Sequence, residues 1–153
     1  MFAGCLVETA DRRILCQLRD DKPGIAFPGY WTCTPGGHVQ DGERPLVAAR
    51  RELDEEFEVK VRDLRPFSVS VRDAGKAAGV YHIFTAKLLS PESRLRCHEG
   101  QKASFLSADE ALQLRQHPLS REALEQYLGR KQPKKKGIHG KHRRLRRDKK
   151  VGR

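Results

Sequence analysis

Between Arg44 and Phe57 a single stretch of chain has to meet two demands at once. Pro45 stands where its fixed φ and missing N–H suit the first turn of a helix. At about 100° per residue, Leu46, Ala49, Leu53 and Phe57 fall within one arc of about 80°, and that apolar stripe has to pack on another layer. Glu52, Glu55 and Glu56, at i, i+3 and i+4, project from a neighbouring arc of about 100°. Like charges at these spacings repel by a few tenths of a kcal/mol per pair. Such a trio is either a solvated face or a seat for a cation.

The flanking segments supply the layer. Phe2 to Glu8 and Arg13 to Leu18 are apolar runs separated by the polar Thr9-Ala10-Asp11-Arg12, which predicts a hairpin. Asp20-Asp21-Lys22-Pro23-Gly24, Pro28-Gly29 and Pro35-Gly36-Gly37 predict an irregular loop up to the carboxylate helix. Val59 to Val71 and Gly79 to Leu89 predict two further strands, and Ala103 to Leu106 a short one. Ser107 and Glu110 have the spacing of a capping box. Leu119 to Leu128 predicts a last helix, with Gly129 as its stop. Without strict β-α-β alternation the expected fold is α/β, a mixed sheet flanked by helices.

Mg²⁺ takes oxygen ligands in octahedral geometry and keeps several waters, so a few carboxylates plus substrate phosphates suit it. Gly36 and Gly37, lacking side chains, let backbone approach a phosphate or the metal's water shell. The helix start near Glu43 to Leu46 adds unpaired N–H groups.

The whole segment resembles the box of the Nudix hydrolases, G-x5-E-x7-R-E-U-x-E-E-x-G-U with U apolar. Gly37, Glu43, Arg51, Glu52, Leu53, Glu55, Glu56 and Val59 fill it; Glu58 stands where the family has glycine. A non-glycine residue in a left-handed helix end costs on the order of 1 kcal/mol, so strain or a shifted helix end is expected there. Leu15 to Arg19, Trp31 and Pro35 to Val39 also look like the family's strand and approach loop. The likeness runs over about residues 2 to 128.

The resemblance implies an α/β/α sandwich with a mixed sheet and Mg²⁺-dependent attack of water on a phosphoanhydride, with Mn²⁺ as an alternative ion. It implies metal ligation by Glu52, Glu55 and Glu56. It also implies an orienting pair of Arg51 with Glu43, which itself comes within reach of the metal. For the catalytic base Glu56 is the first candidate and Glu99, in the Cys97-His98-Glu99-Gly100-Gln101 loop, the second. The expected substrate is a nucleoside triphosphate, a modified nucleotide or a nucleotide sugar. The competing expectation is a weakly active or inactive Nudix-like module that binds nucleotides or RNA. Tyr30 is a candidate to stack on a base and His38 to touch a phosphate, whereas Trp31 reads as core. Tyr81 and Phe84 face opposite sides of one strand. His38, His82 and His98 have no companion at metal-ligand spacing.

The net charge of +11 is concentrated at one end. Arg130 to Arg153 holds thirteen Lys/Arg against one Asp, leaving residues 1 to 129 near neutral. The expected division is a hydrolase domain over 1 to 129 and a basic, disordered tail over 130 to 153. The tail either solubilises or contacts RNA, DNA or ribosomes through phosphates. Cys5, Cys16, Cys33 and Cys97 lack zinc spacing and read as reduced. No run reaches the ~20 apolar residues of a membrane span, and the first residues are strand-like with no leader pattern. A soluble, cytoplasmic protein is expected, of unknown oligomeric state.

Overall fold

The structure, a computed structural model, describes residues 1–73 and 75–131, without the side chains of Lys76 and Lys131. The tail beyond Lys131 lies outside the described residues. Seven strands form one mixed sheet. These are β1 (Phe2–Glu8), β2 (Ile14–Leu18), β3 (Trp31–Thr32), β4 (Gly36–His38), β5 (Val61–Arg72), β6 (Gly79–Leu88) and β7 (Lys102–Leu106). The helices are α1 (Pro45–Phe57), α2 (Ala108–Gln113) and α3 (Pro118–Lys131). The path runs β3-β2-β1-β6-β5, with β4 on β1 and β7 on β2. The β1–β6 pair is parallel, and the other strand pairs are antiparallel.

Strand alternation divides the core into two layers. Ala3, Cys5, Val7 and Leu15 face α1 and pack with Ala48, Ala49, Leu53 and Phe57. Leu6, Ile14 and Cys16 face the other way, with Cys33, against Ala111, Leu124 and Tyr127 of α2 and α3. This is the expected α/β/α sandwich. At about 25 cal/mol per Å² of apolar surface, the stripe of α1 gives that helix a fixed rotation. The helix therefore presents its carboxylates in one direction.

Two expectations are corrected. The segment Gly36–His38 is a strand, pairing Gly36 with Gly4 and His38 with Phe2. The reason is contact distance: a Cβ on Gly36 would lie 2.0 Å from the Ala3 carbonyl oxygen, and one on Gly4 2.5 Å from that of Thr34. Missing side chains thus close a strand pair instead of opening a loop. The last helix also runs through Gly129 to Lys131. Arg130 lays its guanidinium 4.2 Å from the Phe67 ring centroid, a cation–π contact that favours continuing the helix past a residue of low propensity.

The capping box is present: Ser107 Oγ accepts from the Glu110 N–H at 3.1 Å, and Glu110 Oε2 accepts from the Ser107 N–H at 2.8 Å. A buried polar chain moors α3, with the Cys33 N–H donating to Ser120 Oγ at 2.6 Å and that hydroxyl donating to Gln116 Oε1 at 2.9 Å. Among the described residues no helix is long and apolar enough to cross a membrane. The four cysteines are free, three of them buried.

Candidate active site

β1 and β2 pair only at Glu8 and Ile14. From there they diverge, β1 taking β4 as its neighbour and β2 taking β3. A cavity of about 710 Å³ opens in the wedge, walled by Phe2, Gly36, Gly37 and His38 on one side and by Gln17, Thr32 and Thr34 on the other. Glu52 and Glu56 of α1, Glu99 of the loop before β7, Arg19 and Tyr81 also line it.

Arg51 ties the approach segment to the helix. Its Nε and Nη2 donate to the two carboxylate oxygens of Glu43 at 2.9 and 3.0 Å, Nη1 to Glu52 Oε1 at 2.7 Å and Glu55 Oε2 at 3.1 Å, and Nη2 to the His38 carbonyl at 3.1 Å. The guanidinium holds the Glu43 carboxyl below its usual range, helped by the Gln40 N–H. The expected Arg51–Glu43 pair is therefore formed. α1 has no side-chain N-cap; Glu43 bonds to the preceding turn and to Arg51 instead.

Glu52 is 8% exposed, and its carboxylate abuts Gly37, where a Cβ would come within 2.4 Å of Oε1. Burial pushes the Glu56 carboxyl up to about 9, with the Glu99 and Glu52 carboxylates beside it adding to the rise. Proximity of like charges in a partly desolvated place is the physical cause. Both candidates for the base thus stand side by side, though they are 43 positions apart in sequence. Glu55 is different: its side chain is 61% exposed, and it is not part of the cavity wall.

Among the described residues no three His, Cys, Asp or Glu side chains are already arranged to hold a metal ion, and Arg51 Nη1 bridges Glu52 and Glu55. The donor set nonetheless suits a hard divalent cation. It is made of carboxylate oxygens whose mutual repulsion a cation relieves, and Gly37, lacking a side chain, lets the Glu52 carboxylate lie against the backbone.

Tyr30 is not brought to the cavity wall. Its ring sits 5.3 Å from that of Phe27 under the Arg115 guanidinium, and its hydroxyl accepts from Arg115 Nη2 at 2.8 Å. Phe2, His38 and Tyr81 form an aromatic wall instead, with Phe2 5.4 Å from Tyr81 and 6.1 Å from His38. Register explains this, since Phe2 pairs with His38 on one side and Tyr81 on the other. Phe84 is in the core, and Trp31 packs half-buried against the second layer.

Sequence reasoning passed over Arg19, Phe2 and His117 as site residues, all of which line the cavity. Arg19 donates from Nε and Nη2 to the Ala26 carbonyl at 3.2 and 2.8 Å. Burial lowers its pKa, and the Glu99, Tyr81, Glu56 and Asp20 side chains oppose that shift. Its signal in the sequence was a lone cation one residue past a strand. That becomes informative only once the strand's end is known to meet the carboxylates.

A carboxylate-bearing helix and a facing arginine at the open wedge of a three-layer mixed sheet define a class, an α/β/α protein equipped for an anionic substrate. The chain belongs to the Nudix hydrolase family, in which pyrophosphohydrolase activity and dependence on a divalent metal are typical. The NUDIX domain profile matches residues 2–127. An uncharacterized Nudix hydrolase of Pseudomonas aeruginosa is 34% identical over 118 residues, 74% of this chain and 69% of that protein. Nucleoside triphosphatase NudI of Escherichia coli is 36% identical over 67 residues, 42% of this chain and 45% of that protein. Among solved structures, a Caenorhabditis elegans Ap4A hydrolase in a binary complex superposes with a TM-score of 0.65 at 22% identity, over 84% of this chain and 96% of that one. A MutT Nudix hydrolase of Burkholderia pseudomallei gives 0.65 at 24% identity, over 82% and 96%. Both likenesses concern the fold.

Proposed function

We propose that this chain is an Mg²⁺-dependent pyrophosphohydrolase that cleaves a phosphoanhydride bond of a nucleoside-diphosphate-linked substrate, with Mn²⁺ as a substitute ion. The observation that carries the reading is the meeting of Glu52, Glu56 and Glu99 in a cavity that also holds Arg19 and an aromatic wall. A nucleoside triphosphate is favoured within that class, supported by the stretch shared with a nucleoside triphosphatase. The dinucleoside polyphosphate named for the structural neighbour is a further candidate.

Glu52 and Glu56 would hold the ion, with Glu55 joining from the solvent side once Arg51 Nη1 releases it. An Mg²⁺ ion held there would supply charge neutralisation of the phosphates and a lowered pKa for the attacking water. Glu99, beside Glu56 and anchored through its backbone, takes the water's proton; Glu56 is the alternative base. Arg19 pairs with a phosphate oxygen, a role suited to its planar fork. Gly36, Gly37 and His38 pass along the substrate's phosphates. Tyr81 and Phe2 offer faces to the base.

The test is hydrolysis of a panel of nucleoside triphosphates, nucleotide sugars and a dinucleoside tetraphosphate, with Mg²⁺ and with chelator, in ¹⁸O-water to mark the attacked phosphorus. Metal-dependent turnover of at least one member, lost by at least ~100-fold in Glu56→Gln, is expected. Absence of turnover across the panel, or turnover indifferent to chelator, overturns the reading.

A second function is supported by the charge of residues 130 to 153, which fits polyanion binding to RNA, DNA or ribosomes. Because Arg130 and Lys131 belong to α3, the deletion that tests it removes residues 132–153. RNA retention at low salt that is unchanged by that deletion would sink the idea. Free thiols and a nucleotide substrate both suit a cytoplasmic site of action.

A further inference from the structure

Glu58, the residue at the box's glycine position, adopts φ 54° and ψ 29°. The helix end is thus not shifted, and the chain accepts a left-handed conformation that glycine adopts at lower cost. The Glu58 side chain makes a contact that glycine cannot: its Oε1 accepts from His98 Nε2 at 2.7 Å. His98 belongs to the loop that carries Glu99. The same loop is stitched to the helix exit by two backbone bonds, Arg96 N–H to the Phe57 carbonyl at 3.0 Å and His98 N–H to the Glu56 carbonyl at 2.9 Å. Its other side is fixed to β2, where Gln17 Nε2 donates to the Glu99 carbonyl at 2.7 Å and the Gln101 N–H to the Leu18 carbonyl at 2.8 Å.

We propose that Glu58 and His98 form a clasp that positions Glu99 against Glu56, so that glutamate at this place is a positioning residue and not a defect of the box. Both side chains are about half exposed, and such a pair adds little to global stability. Its effect is on registry. With the clasp closed, the helix exit and the Glu99 loop move as one unit, and the distance between the two carboxylates is held. Without it, only the main-chain bonds span the junction, and His98, the residue preceding Glu99, loses its side-chain anchor to the helix exit.

This inference rests on the hydrolase reading, and its test separates the two. Glu58→Gly, His98→Ala, their double variant, Glu58→Gln and Glu99→Gln are compared for melting temperature, for amide exchange at His98 and Glu99, and for kcat and KM on the nucleoside triphosphate and dinucleoside tetraphosphate panel with Mg²⁺. Glu58→Gly is expected to melt at or above the parent, since the left-handed strain is gone. Its kcat should nevertheless fall about tenfold with KM within twofold, and exchange at His98 and Glu99 should quicken. Glu58→Gln keeps an oxygen for His98 and should retain at least half the parent's kcat. The double variant should lose no more than either single one, and adding Glu99→Gln to Glu58→Gly should cost no more than Glu99→Gln alone. Parental kcat in Glu58→Gly together with unchanged exchange overturns the clasp, as do multiplying losses in the combined variants. If the parent hydrolyses nothing on the panel, the hydrolase reading fails, and the exchange rates still decide whether the clasp exists.

Discussion

The Arg51 guanidinium grips both carboxylate oxygens of Glu43, at 2.9 and 3.0 Å, while its third nitrogen reaches Glu52 at 2.7 Å. One planar fork thereby sets the distance between the segment before α1 and the helix's own carboxylates. Lysine cannot make this contact, because an ammonium has no fork geometry. Arg51→Lys is expected to destabilise the fold by about 1–2 kcal/mol in urea unfolding. Turnover should fall by about 10- to 100-fold through misplacement of Glu52. Parental kinetics in this variant would show that the pair is ornamental.

The two adjacent glycines are expected to fail differently. A Cβ on Gly36 meets backbone, the Ala3 carbonyl oxygen at 2.0 Å and the Gly4 Cα at 2.6 Å. Gly36→Ala should therefore cost about 3 kcal/mol. The nearest atoms to a Cβ on Gly37 are those of the Glu52 carboxylate, at 2.4 to 2.6 Å. Gly37→Ala should keep the fold to within about 1 kcal/mol while displacing that carboxylate, so that turnover drops by about 100-fold. Thermal melts and steady-state rates on the same preparations check both; equal stability losses would refute the distinction.

His117 supplies a pH dependence. Burial lowers its pKa to about 4, with Arg19 and Arg72 adding to the shift. The ring packs 4.5 Å from Phe27, and its Nδ1 accepts from the Leu119 N–H at 3.2 Å. A base with a depressed folded-state pKa binds its proton more readily when unfolded. Its stabilising contribution is complete above its ordinary value of 6.5 and is lost as pH falls from there toward 4. His117→Asn should flatten that part of the stability profile, measured by urea unfolding between these limits. A slope identical to the parent's would contradict this assignment.

The aromatic wall predicts a KM effect at an unexpected tyrosine. Tyr81 lines the cavity beside Phe2, whereas Tyr30 meets Phe27 edge-to-face and is capped by Arg115. Tyr81→Leu should raise KM about tenfold, the loss of one base–aromatic contact. Tyr30→Leu should leave KM within twofold and lower stability by about 0.5–1 kcal/mol. The reverse ranking would move the base to the other end of the wedge.

How much was legible follows from the range of each interaction. The carboxylate helix, its apolar stripe and the capping box at Ser107 could be read because their partners lie within one or two helical turns. The Arg51–Glu43 pair, eight residues apart, came only with the resemblance to the Nudix box. The strand at Gly36–His38 was hidden, because a glycine pair looks like a loop until the backbone it must approach is known. Tyr30 falls outside the cavity wall for a related reason. Local pattern places an aromatic residue near the box, but only the sheet register decides which ring faces the wedge, and that register selects Phe2 and Tyr81.

The linear order of residues determined the family, the helix that bears the carboxylates and the end of the chain where positive charge collects, since all three are properties of short-range spacing or of composition. Tertiary structure alone decided that Glu99 meets Glu56, that Arg19 faces them, that Glu55 stays outside the cavity and that Glu58 reaches His98 across 40 positions. Those relationships depend on where two strands diverge and on which loop crosses the end of a helix, and no local periodicity encodes a distance between segments that meet only after the sheet has closed.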